Sequence, residues 1–204
     1  MYKSAENQYP IHNLLKERWS PRAFASQPVE EEKLLSLFEA ARWSPSGGNS
    51  QPWHFIVVNQ ANRELHEKLV ATMTGRNPLW TKNVPTLVVT VARMNPERPA
   101  ANRFAYYDLG QAVAHLSVQA ADLGLHVHQM AGYDAAKVRE LLEIPDGYEP
   151  MTIVAIGYFG KVDDLPEELG LRDDETAPRT RKPLTDFVFG ERWNQPLPEA
   201  ILNH

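Results

Sequence analysis

A chain of 204 residues, of which 43% are hydrophobic, is long enough to bury the core of one domain without disulfide or metal support. Its formal net charge of -5 argues against a nucleic-acid partner, because a surface that follows phosphates needs concentrated positive charge. The sequence holds no cysteine, which excludes disulfides, thiolate nucleophiles and cysteine metal sites, so redox chemistry would need a bound cofactor.

The N-terminal third predicts two helices, a loop between them and a strand. Apolar residues at helical spacing predict helices over IHNLLKER and EEEKLLSLFEAARW, the second opened by acidic residues. The intervening loop contains RWSPRAF and is punctuated by Pro21 and Pro28. Gly47 and Gly48 end the second helix before PWHFIVV, whose β-branched and aromatic residues predict a buried strand.

The middle of the chain predicts further helices and strands in mixed order. A helix is expected over RELHEKLVATM, a strand over VPTLVVTVAR, and a long central helix over RFAYYDLGQAVAHLSVQAADLGL, which ends at Gly124. A short strand is expected in HVHQMAGYD, a helix capped by Asp134 in AAKVRELLEI, and another strand in PMTIVAIGYFG. The order indicates a mixed α and β domain.

The C-terminal part differs in composition from the rest. From about Asp163 the sequence is acidic, rich in proline and irregular, and RTRKPLTDFVFGERWNQP follows without helical periodicity. Phe187, Phe189 and Trp193 are too apolar to be left in water. We therefore expect a single domain over residues 1–204, in which residues 163–204 form an extended arm that wraps a partner subunit.

Two loops carry side chains suited to ligand binding. The first loop has Arg18, Ser20 and Arg22 at every second position, so an extended backbone can turn the three side chains to one side. Arg and Ser donors there suit a phosphate. In SPSGGNSQPWHF the glycines allow close backbone approach, and the Asn49 and Gln51 amides suit the edge of a polar ring. For each loop by itself the alternative is structural, namely a solvated basic loop and a glycine turn.

Four segments in this order resemble the FMN-dependent nitroreductase family: RWSPRAF, SPSGGNSQPWHFIVV, HQMAGYD and RTRKPL. The resemblance covers nearly the whole chain. It implies an α+β fold with a mostly antiparallel central sheet flanked by helices, in an intertwined homodimer with the long helices at the interface. It also implies tightly bound FMN and NAD(P)H as a transient co-substrate.

The resemblance further implies an FMN site that both subunits build. Arg18 and Ser20 would hold phosphate and ribityl oxygens, and Arg22 would stabilise the anion that develops at flavin N1 and O2. A backbone N–H near Gly132 would face flavin N5. The positions that match the family's FMN-binding motifs are Arg18, Trp19, Ser20 and Arg22; Pro45, Ser46, Gly47 and Asn49, from the other subunit; Asn77; Gln129, Met130, Ala131 and Gly132; and Arg179 and Arg181. A solvated basic tail is the alternative for the last two.

The implied activity is reduction of a nitroaromatic, quinone, enal or similar electrophilic small molecule by a ping-pong mechanism. Hydride would pass from NAD(P)H to flavin N5 and on to the acceptor, and no side chain is assigned as catalytic because solvent can supply protons. Neither G-x-G-x-x-G nor a P-loop motif occurs, so nicotinamide would bind only transiently. His126 and His128 have no third ligand nearby, which favours packing or flavin contact over a metal site.

Other functions stay open at this stage. One is a dehalogenase or flavin-fragmenting enzyme of the same fold, although little sequence is inserted between VVTVAR and the long helix to form a lid. The others are a non-catalytic FMN-binding module and a colourless dimeric interaction protein. The sequence also leaves open the electron acceptor and the choice between NADH and NADPH. It does not decide whether Trp43, Trp80 or the Phe104–Tyr107 group lines the substrate pocket. The aromatic group at Phe104, Tyr106 and Tyr107 is expected in the core.

No stretch is long and apolar enough to span a bilayer, and the N-terminal residues lack the pattern of a secretory signal. We therefore expect a cytoplasmic protein with no membrane partner.

Overall fold

The protein folds around a four-stranded antiparallel sheet. The computed structural model describes residues 3–95 and 97–198. The strands are β1 (Trp53–Asn59), β2 (Thr86–Arg93), β3 (His126–Met130) and β4 (Tyr148–Gly157). They lie in the order β1-β2-β4-β3, and each neighbouring pair is antiparallel. This confirms the predicted α+β class with a mostly antiparallel sheet.

Helices cover both faces of the sheet. Those in the described residues are α1 (Asn13–Glu17), α2 (Glu31–Arg42), α3 (Arg63–Ala71), α4 (Asn77–Thr81), α5 (Asn102–Asp122), α6 (Ala135–Leu141) and α7 (Leu171–Thr176). The sequence predicted neither α4 nor α7, because each is shorter than two helical turns and shows too little periodicity. None of the described helices has the length and apolar character needed to cross a membrane.

The sheet separates two hydrophobic cores, and β2 contributes to both. Val89 and Val91 pack with the core under α3, α4 and α6, whereas Val88 and Ala92 pack with the core under α2 and α5. Alternate residues of a strand point to opposite faces, so a strand covered on both sides needs a continuous apolar run. The sequence TLVVTVA meets that requirement, and all of these residues are buried.

The first strand differs from its prediction as a buried strand. Only Val58 of β1 is buried, and the rest of the strand is half-buried or exposed. β1 pairs with β2 along one side, and no other described strand pairs with its second side. A strand at the edge of a sheet keeps more contact with solvent than a central one. The prediction of a strand is confirmed, but the prediction of burial is wrong.

The long helix α5 packs one face against the sheet. Its buried residues recur at helical spacing from Ala105 through Leu109, Ala112 and Leu116 to Ala120. After the helix Gly124 adopts a φ of +71°, as expected at a helix C-terminus. The expectation that the aromatic group lies in the core is wrong for the single chain, because its members lie off this buried face: Phe104, Tyr106 and Tyr107 are 54%, 38% and 67% exposed.

The C-terminal segment runs over the surface of the chain. After α7, residues 177–198 contain only a short 3-10 turn at Leu184–Asp186. Phe187 and Trp193 are 57% and 83% exposed, and Trp193 packs only on Phe189 among the described rings, with 5.0 Å between ring centroids. The wrapping of a partner by residues 163–204 stays a prediction; residues 199–204 of the predicted arm lie outside the described part of the chain.

Candidate cofactor site

The two ends of the chain meet around a cavity of about 230 Å³. The loop after α1 brings Arg18, Ser20 and Arg22 to it, and the segment after α7 brings Arg179 and Arg181. These are residues that the sequence assigned to the FMN phosphate and its surroundings. The structure thus places the first and the last of the four motifs side by side.

The cavity is strongly positive. Its lining holds five cations and two carboxylates, which leaves a net of three positive charges: Lys3, Arg18, Arg22, Arg179 and Arg181 against Asp174 and Glu175. Burial and the neighbouring Arg181 lower the pKa of Arg18, and burial with Arg18 and Arg181 lowers the pKa of Arg179. Burial also lowers the pKa of Lys3. Clustered cations that repel one another favour the binding of an anion.

Buried polar groups hold the RWSPRAF loop against the body of the protein. The Glu175 carboxylate, 1% exposed, accepts the backbone N–H of Arg22 at 3.0 Å and that of Ala23 at 3.1 Å. On the other side, His128 Nδ1 donates to the Pro21 carbonyl at 2.7 Å. Burial lowers the pKa of His128 to about 4, so its ring is neutral near pH 7. The backbone that carries the loop cations is therefore fixed by the chain itself.

The two histidines of β3 have packing roles. His128 lies 4.8 Å from the Trp80 ring between centroids, and His126 packs on Trp19 and Phe159 at 5.9 and 5.7 Å. Trp19 is 7% exposed and is one of the apolar residues that line the cavity, with Ala177 and Pro178. Its position in the first motif is thus explained by packing beneath the loop.

Arg179 joins the C-terminal segment to the N-terminal one. Its Nη1 donates to the carbonyl oxygens of Lys3 at 2.9 Å and Lys16 at 2.8 Å. A guanidinium has five N–H donors, so these bonds leave others for a ligand. Arg181 Nη1 donates only to its neighbour Thr180 among the described bonds.

The glycine-rich motif lies in a separate loop after α2. Its backbone is unusual, with positive φ values of +57°, +55° and +43° at Gly48, Asn49 and Gln51. Gly47 donates its N–H at 3.0 Å to the carboxylate of Asp108 on α5. Asp108 is 4% exposed. Among the described hydrogen bonds and ion pairs, none joins this loop to the cationic cavity. The single chain therefore does not bring Pro45, Ser46, Gly47 and Asn49 together with the phosphate-binding candidates.

Asn77 and Gly132 form a third part of the candidate site. Asn77 Nδ2 donates to the Gly132 carbonyl at 3.2 Å, and the Thr74 N–H donates to the same oxygen at 2.9 Å. A Cβ on Gly132 would lie 2.9 Å from Asn77 Nδ2, closer than side chains tolerate. The other members of the HQMAG motif differ in exposure: Met130 is buried in the core, whereas Gln129 and Ala131 are exposed.

The tryptophans left open by the sequence have different environments. Trp80 is 2% exposed and stacks on Phe24 at 5.9 Å, so it belongs to the core. Among the described residues its Nε1 is the buried side-chain polar atom that lacks a hydrogen-bond partner. Trp43 is 73% exposed, and its Nε1 donates to Glu39 at 2.8 Å. Only Trp43 of the two is placed where a substrate or a partner subunit can contact it.

Four charged residues in or near the cavity were missed by the sequence reasoning. Lys3, Asp174 and Glu175 line the cavity, and Arg76 lies next to it through the Asp174 carboxylate, which it contacts at 2.7 Å. Arg76 also donates to the Leu169 carbonyl at 2.7 Å. Its position directly before Asn77 was a usable signal. Lys3 and Glu175 carried none, because each reaches the cavity through contacts between distant parts of the chain.

Known proteins match this chain over most of its length. A sequence model described as the nitroreductase family matches residues 15–78 and 72–158. A 15.4 kDa protein in the ask 5′ region of Mycolicibacterium smegmatis is 37% identical over 68% of this chain and 93% of its own. A protein of Archaeoglobus fulgidus, provisionally named NADH dehydrogenase/NAD(P)H nitroreductase, is 28% identical over 86% of this chain and 94% of its own.

A solved structure described as an oxidoreductase containing FMN has the same fold. It superposes with a TM-score of 0.83 and 34% sequence identity, over 93% of this chain and 96% of that chain. The sequence match and the fold agree with each other. The chain therefore belongs to the nitroreductase family, which is a family of oxidoreductases.

Proposed function

We propose that this protein is an FMN-dependent oxidoreductase that takes hydride from NAD(P)H and reduces a nitroaromatic, a quinone or a similar electrophilic small molecule. The observation that carries the proposal is the cationic cavity, in which residues from both ends of the chain converge. The FMN named for a solved structure at 34% identity supports the choice of cofactor. The name of the archaeal relative supports NAD(P)H as the electron donor.

The residues around the cavity fit the phosphate of FMN. A phosphate dianion needs neutralising charge and several hydrogen-bond donors, and the guanidinium groups of Arg18, Arg179 and Arg181 offer both. The Ser20 hydroxyl, 3.4 Å from Arg18 Nη1, adds a donor. A volume of about 230 Å³ suits a phosphate with part of a ribityl chain but not a whole flavin. The ring therefore needs further binding surfaces.

We propose that Asn77, Gly132 and a second subunit provide these surfaces. The Asn77 and Thr74 side chains fill the space that a Cβ on Gly132 would need, so this residue can offer a flat ring only main-chain atoms. Gln129, Met130 and Ala131 would support that stretch through the backbone. Pro45, Ser46, Gly47 and Asn49 would come from the partner, because within one chain no described hydrogen bond or ion pair links their loop to the cavity.

The homodimer is part of the same proposal. Several large aromatic side chains are more than half exposed in the single chain, among them Tyr107, Phe187 and Trp193. Such exposure is unusual on a surface that faces only solvent. We propose that residues 163–204 cover apolar surface of the partner and that α5 lies at the interface. Each site would then contain residues of both chains, and the separated protomer would not retain a complete site.

The chemistry divides between cofactor and protein. FMN, when bound, supplies a carrier that accepts hydride from NAD(P)H and delivers it to the acceptor. The protein binds and orients: Arg18, Arg179 and Arg181 would neutralise the phosphate. Arg22, which also lines the cavity, would stabilise the negative charge at flavin N1 and O2. Arg22 Nη2 is also 3.9 Å from Asp174 Oδ2. No side chain of this chain is assigned as a catalytic acid.

The absorbance spectrum of the purified protein tests the proposal. We expect a yellow protein whose flavin absorbance bleaches on anaerobic addition of NADH or NADPH and returns when a quinone or nitroaromatic is added, and we expect the released cofactor to be FMN. Riboflavin provides the matched control because it lacks the phosphate, and it should bind at least about tenfold more weakly. A yellow protein that does not bleach would indicate an FMN-binding module. A colourless protein that ignores added FMN would refute the proposal.

A second assay separates the enzyme classes that share this fold. Steady-state rates with varied NADPH and acceptor should give parallel double-reciprocal lines, as a ping-pong mechanism requires. Release of halide from a halogenated aromatic, or loss of the flavin during turnover, would instead favour the dehalogenase or the flavin-fragmenting alternative.

A further inference from the structure

Glu175 is a buried carboxylate that none of the sequence motifs contains. It lies on α7 and is 1% exposed. Both of its oxygens accept the Arg22 N–H at 3.0 Å, and Oε1 also accepts the Ala23 N–H at 3.1 Å. An ionised carboxylate inside a protein is costly unless hydrogen bonds replace its water, and these backbone bonds do so.

The loop that Glu175 contacts is also fixed on its other side. The Ala23 carbonyl accepts the Gly160 N–H at 2.8 Å, and the Ala25 N–H donates to the Tyr158 carbonyl at 2.9 Å. The main chain at residues 22–25 is thus attached to the end of β4 by backbone bonds and to α7 by the carboxylate of Glu175. This attachment sets the direction in which the preceding residues 18–22 enter the cavity.

We propose that Glu175 is a positioning residue for the phosphate of the cofactor. Its carboxylate sets the backbone of Arg22 and Ala23, so that Arg18, Ser20 and Arg22 face the cationic cavity before a ligand arrives. Its charge also offsets the repulsion among the cations that line the cavity. The inference rests on the proposed function, because it concerns the same FMN site.

The inference is testable because a positioning role and a purely electrostatic role of Glu175 predict opposite changes in anion affinity when its carboxylate is removed. Removing a negative charge from the lining of an anion site tightens anion binding. Removing a group that holds the donors in place weakens binding, because only the fraction of molecules with a competent loop can bind. The sign of the change in affinity therefore separates the two roles.

Asp174 offers a matched comparison. It is the neighbouring residue, lines the same cavity and carries the same charge. Its carboxylate contacts side chains, Arg76 at 2.7 Å and Arg22 at 3.9 Å, and its side chain is 43% exposed. Asp174→Asn removes a charge from the lining while the backbone bonds of Glu175 remain.

The experiment titrates FMN and riboflavin into the apoproteins of wild type, Glu175→Gln and Asp174→Asn. A glutamine has one acceptor oxygen, and its NH₂ group would face the Arg22 N–H. We expect Glu175→Gln to bind FMN at least about tenfold more weakly, and the ratio of FMN to riboflavin affinity to fall by a similar factor. Asp174→Asn, which removes a negative charge from the lining and leaves the backbone bonds of Glu175 in place, should bind FMN more tightly than wild type. A general folding defect would weaken both ligands and leave their ratio unchanged.

The inference is overturned if Glu175→Gln binds FMN as tightly as wild type or more tightly, or if both ligands weaken equally. A wild-type protein that binds no FMN would refute the proposed function itself, which is a separate outcome. Should Glu175→Gln fail to fold, hydrogen exchange of the wild-type apoprotein decides. The Arg22 and Ala23 amides should be protected before FMN is added; exchange at the rate of an open loop, with protection only after FMN, would overturn the inference.

Discussion

The two loops that we propose to bind the cofactor are held in different ways. The RWSPRAF loop is fixed within its own chain by Glu175 and His128, two polar side chains that bond its backbone. The glycine-rich loop is mostly exposed, has positive φ values at Gly48, Asn49 and Gln51, and has one buried side-chain anchor, Asp108. The comparison teaches that buried side chains fix the first loop more extensively than the second within a single chain, which fits our proposal that the second loop acts across a subunit interface.

The largest effect that tests this difference is a dependence of stability on pH at the fixed loop. The folded-state pKa of His128, about 4, lies below its ordinary value of 6.5 because the ring is buried. As pH falls below 6.5 the unfolded chain takes up a proton that the folded chain refuses. The free energy of unfolding should therefore fall between pH 6.5 and about 4, by up to about 3 kcal/mol from this residue.

Urea unfolding of the apoprotein across this pH range measures the effect. His128→Gln should flatten the decrease, whereas His12→Gln, on the exposed surface, should leave it unchanged. Some decrease will remain in both, because burial also lowers the pKa of His66 and His126. If the free energy of unfolding fell equally steeply with pH in wild type and His128→Gln, the neutral form of this histidine would not be what stabilises the loop.

The second prediction concerns the cavity itself. Arg18→Ala should keep the fold but weaken FMN binding by about 2 kcal/mol, or about 30-fold, because it removes a charge-assisted hydrogen bond to the phosphate. Arg63→Ala is the control, since Arg63 lies on the exposed surface of α3 and pairs with Glu67. Fluorescence titration of FMN gives both constants. Undiminished affinity in Arg18→Ala would remove Arg18 from the phosphate site.

A smaller effect is expected at the glycine-rich loop. Asp108→Ala leaves the Gly47 N–H without its acceptor and should reduce the affinity for FMN by about 1 kcal/mol, or about fivefold. Asp122→Ala, at the exposed end of the same helix, should bind FMN like wild type. An effect of Asp108→Ala larger than that of Arg18→Ala would reverse the comparison, since the loop would then be the better organised half.

The smallest effect tests the strain in that loop. Gln51 has a φ of +43°, a conformation that costs side chains other than glycine roughly 1 kcal/mol. Gln51→Gly should raise the stability of the apoprotein by less than about 1 kcal/mol, because the relief of strain exceeds the added freedom of the unfolded chain. Its neighbour Ser50, at φ -69°, is the control, and Ser50→Gly should lower stability. Thermal melts of both variants measure these changes in stability. Equal losses of stability in Gln51→Gly and Ser50→Gly would show that Gln51 is not strained.

The sequence predicted strands better than it predicted their burial. TLVVTVAR and WHFIVVN have similar apolar runs, yet the first is central and buried while the second lies at the edge. The difference comes from the strand order β1-β2-β4-β3, which is set by pairing between distant segments. Local composition indicates that a segment can form a strand, but it does not indicate how many other strands will pair with it.

The candidate site shows the same division. Motifs that match a family by sequence, such as RWSPRAF and RTRKPL, could be assigned to one cavity before the structure was known. Glu175 could not, because DDET is typical of an exposed acidic stretch. Its buried position and its bonds to residues 22 and 23 appear only in the folded chain. Its role depends on a contact between residues separated by 153 positions in the chain.

That separation also orders events during synthesis. Translation proceeds from the N-terminus, so the RWSPRAF segment leaves the ribosome long before α7 has been made. Until then its backbone lacks the acceptor that holds it, and the cations from residues 179 and 181 do not yet exist. A nascent chain can therefore fold much of its sheet before the cavity that we propose for the cofactor is complete.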